Sequence, residues 1–345
     1  MSLKLRSRTK ADLPQVAELA NLIDPEWPVT AEKLELWESQ RDPKYFRADY
    51  VAELDGRLVA TGGFHEDGFA FEEGKYWIRV EVHPEFRRRG IGARFYGFLL
   101  EQLTPRNPKK LVAGGESDKA EGLRFLSKHG FVQEWERLNS RWKAEGFDFR
   151  PYAHLEQTLR DEGLEIKSLA ELGLNDDTLR QLWELDWILF QDVPMGLEFT
   201  KREFEQFKKD ETQTPDFVPE AVLIALDPKR DDALTGHMVG YTQLSYIAEA
   251  GAWVINMTGV MREYRGKKVA HNLKLRGMKL VAQRGSEGHA TGQRPYSGEI
   301  RTTNDPPNRV MYEMNLKLGF KPYPSWLRFS KVVEGQEFTV TGNEL

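Results

Sequence analysis

The chain has 345 residues, room for about two domains at roughly 150 residues each. Lys and Arg number 49 against 54 Asp and Glu, a net charge of −5, which leaves no basic field for sequence-blind nucleic-acid binding. With 40% apolar residues, 11% aromatics and no cysteine, the composition is that of a globular chain without disulfides, thiolate metal sites or a cysteine-linked acyl intermediate.

The first residues hold no apolar stretch of the kind that directs secretion, and no apolar run reaches the roughly 18 residues of a membrane span, so a soluble, cytoplasmic protein is expected. Apolar periodicity predicts a helix over 11–21. Apolar runs then flank Asp55-Gly56, a hairpin signal. Residues 76–82 read as a strand that Pro84 stops. From Gly90 the positions Ile91, Phe95, Phe98, Leu99 and Leu103 make the stripe of a helix. A strand over 110–114, a helix over 119–129 and closing strands over 131–142 follow.

Residues 147–163, with Tyr152, Leu155 and Leu159, read as a connecting helix. The same order then recurs: strand 165–169, helix 177–190, strands 221–226 and 237–244, strand 253–260, helix 269–282, strand 299–303 and helix 309–318. Trp183, Trp187 and Phe190 fall at core spacing on the second of these helices. The expected domains are 1–147, a connecting helix in 148–163, and 164–345.

The recurrence is also visible residue by residue. Val82, Glu85, Phe86 and Arg87 match Val260, Glu263, Tyr264 and Arg265 at a constant offset of 178. Gly130-Phe131 closes the first copy and Gly319-Phe320 the second. The extra length of the second copy falls in 285–297, a Gly-, Arg- and Ser-rich stretch read as a loop.

Chemistry concentrates where strand becomes helix. Arg87, Arg88 and Arg89 precede Gly90-Ile91-Gly92 on the first turn of an amphipathic helix. Unsatisfied backbone N–H groups and the helix dipole make such a start an anion site, which glycines let a diphosphate approach and arginines reinforce. Neither a G-x-x-x-x-G-K-[ST] loop nor a G-x-G-x-x-G after a strand is present. The histidines are scattered, and no metal site is expected.

The pattern Val82-x-Pro84-x-x-Arg87-x-x-Gly90-Ile91-Gly92, then helix, strand, helix and Gly130-Phe131, resembles the GNAT superfamily of N-acetyltransferases. The whole chain resembles its tandem members. The resemblance implies an α/β fold of two tandem GNAT-like units, each a mixed, mostly antiparallel sheet flanked by helices. It also implies acetyl-CoA as cosubstrate. In the first unit Val80, Glu81 and Val82 would pair with the pantetheine arm, and Arg87, Arg88, Arg89, Gly90, Ile91, Gly92 and Ala93 would hold the diphosphate. The matching residues of the second are Thr258, Gly259 and Val260, then Arg265, Gly266, Lys267, Lys268, Val269 and Ala270.

Two departures stand out. Lys268 replaces the middle glycine, and the Tyr that many members place shortly before the Gly-Phe is Leu126 in one copy and Asn315 in the other. A general base must reach the attacking amine directly or through one water, and by position Glu116 and Tyr76 are the candidates. The expected activity is transfer of an acetyl group from acetyl-CoA to a primary amine by direct attack, with the first unit as the better coenzyme site. The alternative is a non-catalytic coenzyme-A-binding or scaffold protein that retains the fold. The expected partner is a small-molecule amine acceptor, without nucleic acid or membrane, in a monomer or homodimer.

Overall fold

The computed structural model describes residues 3–194, 196–286 and 296–333. In chain order the elements are β1 Leu3–Ser7, α1 Leu13–Ile23, α2 Ala31–Gln40, β2 Arg47–Leu54, β3 Arg57–His65, β4 Lys75–Val82, α3 Ile91–Leu103, β5 Lys110–Glu116, α4 Ala120–Lys128 and β6 Val132–Lys143. The second series is α5 His154–Asp161, β7 Glu165–Ser168, α6 Leu169–Leu172, α7 Asp176–Phe190, α8 Phe204–Thr212, β8 Val222–Leu226, β9 Met238–Ile247, β10 Ala252–Val260, α9 Val269–Ser286, β11 Glu299–Asn304, α10 Arg309–Lys317 and β12 Lys321–Val332. Two compact units result. Within the described residues unit 1 holds 3–136, 198–200 and 326–333, and unit 2 holds 137–197 and 201–325.

In unit 1, β1, β2, β3 and β4 pair antiparallel in that order, the Asp55-Gly56 turn joining β2 to β3. β4 then pairs parallel with β5, but only from Lys75↔Lys110 to Trp77↔Val112. The far side of β5 pairs antiparallel with Trp326–Val332 of β12. One face of this sheet carries α3, whose stripe Ile91, Phe95, Leu99 and Leu103 packs with Phe64, Leu111 and Phe329. Each such side chain, fully buried, contributes about 1.5–3 kcal/mol.

Unit 2 repeats the scheme with β7, β8, β9 and β10 antiparallel. β10 pairs parallel with β11 only at Trp253↔Ile300 and Val254↔Arg301, and β11 pairs antiparallel with the second half of β6. Alternation along the strands sorts the two faces. Val222, Ile224 and Tyr241 pack against α7 and α8, while Leu223, Ala225, Val239 and Val260 pack against Val269 and Leu273 of α9.

Several sequence expectations change here. Residues 326–333 follow unit 2 in the chain, yet their strand pairs with β5 and they belong to unit 1. The connecting helix is the shorter α5, whose Leu155 and Leu159 are buried within unit 2. The buried stripe of α7 is Leu179, Leu182, Leu185 and Leu189; Trp183, Trp187 and Phe190 are only half-buried. Most of the loop read over 285–297, namely 287–295, lies outside the described residues. No helix among the described residues is long and apolar enough to cross a membrane.

Candidate active site

Both copies of the strand-to-helix juncture fold alike. A 3-10 turn, Pro84–Phe86 in unit 1 and Arg262–Tyr264 in unit 2, follows the central strand. The next Arg then turns back on that strand: Arg87 Nε donates to the Val82 carbonyl at 3.1 Å, and Arg265 Nε to the Val260 carbonyl at 3.1 Å. The same two positions take left-handed backbone, Arg88 and Gly90 at φ 62° and 77°, Gly266 and Lys268 at φ 84° and 61°. Thus Lys268 does not break the turn. It reproduces the conformation of Gly90 and absorbs the roughly 1–2 kcal/mol that an L side chain costs there.

The helix behind each turn begins at the same point. Arg94 N donates to the Gly90 carbonyl at 3.0 Å, and Asn272 N to the Lys268 carbonyl at 3.1 Å. The amides of Ile91, Gly92 and Ala93, and of Val269, Ala270 and His271, therefore lack intrahelical acceptors and point out of the helix end. Donors of this kind fit a diphosphate.

The two units part company at the central strand. In β10 the register with β9 jumps from Ile255↔Leu244 to Met257↔Gln243, so Asn256 is the extra residue of a bulge, its Nδ2 on Ser245 Oγ at 2.7 Å. The register of β4 with β3 runs unbroken from Ala60↔Val82 to His65↔Trp77. Beyond Val254, β10 leaves β11, and a cleft of about 480 Å3 opens there, within the size range of small-molecule sites. Residues 257–260 form one wall; Arg265, Gly266, Lys268, Val269, Ala270 and His271 form the mouth. Asn308, Met311 and Met314 line it beside α10, and Leu189 and Asp192 at the end of α7.

Of the predicted unit 2 residues, eight meet at this cleft: Thr258, Gly259, Val260, Arg265, Gly266, Lys268, Val269 and Ala270. Lys267 turns away, pairing with Glu162 at 3.0 Å over the Tyr264 ring. Arg265 is held by Asp192 at 2.5 Å, so it braces the loop while backbone amides face the cleft. In unit 1, Arg89 lies over the Phe86 ring as Lys267 lies over Tyr264, and Arg87 stands 3.7 Å from Glu121. Val80, Glu81 and Val82 lie on the part of β4 that has left β5.

The two predicted bases are not brought together. Tyr76 belongs to the unit 1 core, its hydroxyl donating to Glu66 at 3.3 Å and its pKa raised by burial. Glu116 ends β5, five residues beyond the partner of Tyr76, or about 16 Å along the strand. Its pKa is raised by burial and by Asp24, Asp118 and Glu26, against Lys119 at 3.6 Å.

A further buried carboxylate lies in unit 2, near the cleft elements. Asp186 on α7, one turn before the cleft residue Leu189, accepts a 2.5 Å hydrogen bond from Tyr241 Oη; Tyr241 sits opposite the cleft residue Gly259. Burial pushes Asp186 up to about 6, while Tyr241 and Arg202, at 3.7 Å, pull the other way. Its side chain keeps 18% exposure and is not itself among the residues that line the cleft. Arg202 also pairs with Asp210 at 3.2 Å and Glu211 at 2.9 Å, and Gln243 donates to Glu211 at 2.8 Å. In the sequence the only sign of Asp186 is a charge breaking the Leu182, Leu185, Leu189 stripe. Among the described residues no group of three or more His, Asp or Glu is arranged to hold a metal.

Residues 16–131, within unit 1, match the profile of the acetyltransferase (GNAT) family. Among solved structures the chain is similar to a tandem GNAT protein from the clavulanic acid biosynthesis pathway, 18% identical with a TM-score of 0.72, covering 97% of this chain and 100% of that one. It is also similar to a GCN5-related N-acetyltransferase from Sphaerobacter thermophilus, 18% identical with a TM-score of 0.67, covering 96% of each chain. A third likeness is to a glucosamine N-acetyltransferase region of a fungal multi-domain β-N-acetylglucosaminidase, 13% identical with a TM-score of 0.67, over 96% of this chain and 38% of that one. These likenesses are of fold. No curated protein matches the sequence significantly. Residues 16–131 thus match the GNAT family, and along nearly its whole length the chain shares the fold of tandem GNAT proteins.

Proposed function

We propose that this protein is an acetyl-CoA-dependent N-acyltransferase that moves an acetyl group to a primary amine by direct attack, and that unit 2 is its working half. The observation that carries this reading is the unit 2 cleft, where a bulged, splayed strand meets a helix start with three outward amides. The diphosphate would lie on the amides of Val269, Ala270 and His271, with Lys268 adding charge, and the pantetheine would run along residues 258–260. Unit 1, favoured by its glycine motif, keeps the loop without the bulge.

In this reading the amine enters from the α7 side and attacks the thioester carbonyl carbon. Asp186 takes the amine proton, Tyr241 and Arg202 holding the carboxylate in place. A backbone amide near the bulge polarises the carbonyl oxygen, a device commonly worth about 10²–10³ in rate. The C–S bond then breaks and the coenzyme leaves as its thiol.

The absence of the family's Tyr from both units favours the alternative of a non-catalytic binder. Thiol release from acetyl-CoA over a panel of primary amines separates the two. Amine-dependent release that Asp186→Asn abolishes supports the enzyme; release from no amine, with acetyl-CoA bound, supports the binder.

A further inference from the structure

The position that many members give to a Tyr is filled by Asn315, fully buried, whose Nδ2 donates to Asn304 Oδ1 at 2.7 Å and whose Oδ1 has no hydrogen-bond partner. That side chain is committed to the core and carries no labile proton for a leaving group. Another group on the same side of the sheet does. Lys274 of α9 is 2% exposed, and burial alone acts on its amine, with no charged partner to offset it. An amine buried in this way is costly unless something meets it.

Its place in the fold says what would meet it. α9 runs back along the sheet: Gly277 lies against Leu244, the partner of Ile255 in β10. Lys274 is one turn nearer the cleft, three residues after His271 and four after Ala270, both of which line it. From the anion-binding start at Val269 it is about 7.5 Å further along the helix, at 1.5 Å per residue. Counted back from Val260 at 3.3 Å per residue, about 7.5 Å reaches Met257 or Thr258, beside the bulge. Lys274 therefore stands on the α9 face, level with the depth where the thioester would lie though not itself among the residues that line the cleft, while Asp186 stands on the α7 face.

We infer that Lys274 donates the proton that the departing coenzyme sulfur takes up, doing here what the absent Tyr does in other members. When the C–S bond breaks, the sulfur keeps the electron pair, the proton passes from Nζ to sulfur, and the neutral amine regains a proton from solvent. Burial, with no carboxylate to offset it, lowers Lys274 to about 7, so it gives up a proton readily at neutral pH. At this end of α9, burial together with Lys268 just before the helix, Lys317 on α10 and Lys274 itself lowers the His271 pKa, so that imidazole adds no charge beside the amine at neutral pH. Unit 1 has Tyr96 at the equivalent helix position, its hydroxyl also buried and without a partner. Burial pushes that hydroxyl up to about 12, which makes it a far weaker acid.

The inference rests on the coenzyme reading of the unit 2 cleft, and one experiment tests both. Coenzyme A is bound to wild type, Lys274→Met and Lys274→Gln, with affinity followed by calorimetry and the bound thiol titrated by its thiolate ultraviolet absorbance. An ammonium beside the sulfur lowers the thiol pKa in wild type by at least one unit from that of free coenzyme A, and both variants restore the ordinary value. Equal thiol pKa values in wild type and in a variant that still binds coenzyme A overturn the role of Lys274 and leave the coenzyme reading intact. Failure of wild type to bind coenzyme A overturns both. Lys274→Gln decides the matter if Lys274→Met does not fold.

Discussion

The two units share a turn and differ in a strand. Unit 1 has the glycine-containing loop and the family match; unit 2 has a lysine at the glycine position, yet it alone of the two central strands is bulged where it leaves its parallel neighbour. The loop can therefore be copied in conformation without being copied in sequence. A motif reports whether a helix start can receive an anion. It does not report whether the strand beside it, splayed in both units, also carries a bulge.

The largest expected effect sets the two candidate carboxylates against each other. Asp186→Asn lowers kcat by about 10²–10⁴, the range of a lost general base, whereas Glu116→Gln changes it by less than about twofold. The reverse order, measured by thiol release, moves the chemistry to unit 1. The pH profile sharpens the contrast. A base at about 6 must be ionised, so the rate falls as pH drops through 6, and Glu211→Gln, which removes a charge that raises Asp186, shifts that limb to lower pH. A limb that stays put in Glu211→Gln breaks the assignment.

Next in size is the pair of buried polar groups on α3 and α9. The folded pKa of Lys274, about 7, lies below its unfolded value, so between about pH 7 and 10 the unfolded chain binds more protons and stability rises with pH. Lys274→Met removes this dependence and raises the melting temperature at pH 7 by on the order of 5 °C. Tyr96→Phe, which removes a neutral hydroxyl without a partner, shifts it by about 1 °C or less. A melting temperature that is flat from pH 7 to 10 in wild type contradicts the buried, unpaired state of Lys274.

The smallest effect concerns the turn itself. A Cβ at Gly90 meets nothing within 4 Å, so Gly90→Ala costs only its left-handed backbone, about 1 kcal/mol. Lys268→Gly relieves the same conformation in unit 2 and changes stability by no more than about 1 kcal/mol. Denaturant midpoints check both, and opposite signs are expected for the two variants.

Much of this fold was legible in the sequence because its elements are strongly periodic. α3, α9, the Asp55-Gly56 hairpin and the central strands all lie where apolar spacing and turn residues put them. What was not legible depends on distant partners. β12 contains Pro322 and Pro324 and reads poorly as a strand; its pairing with β5 is a property of the folded chain. α8 offers only Phe204 and Phe207 as an apolar stripe among charges. In the site, the helix-start residues followed from a repeat that survives in the sequence. Asp186 and Lys274 did not, because a single polar residue on an apolar face acquires meaning only from what surrounds it.

The central claim is that unit 2 holds the coenzyme. Calorimetric titration of acetyl-CoA into wild type, Ala270→Glu and Gly90→Glu, each checked for folding by its melting temperature, tests it directly. A carboxylate at Ala270 stands at the cleft mouth among the outward amides, so one site is expected in wild type, absent in Ala270→Glu and retained in Gly90→Glu. Binding lost in Gly90→Glu and kept in Ala270→Glu would contradict the account and return the coenzyme to unit 1.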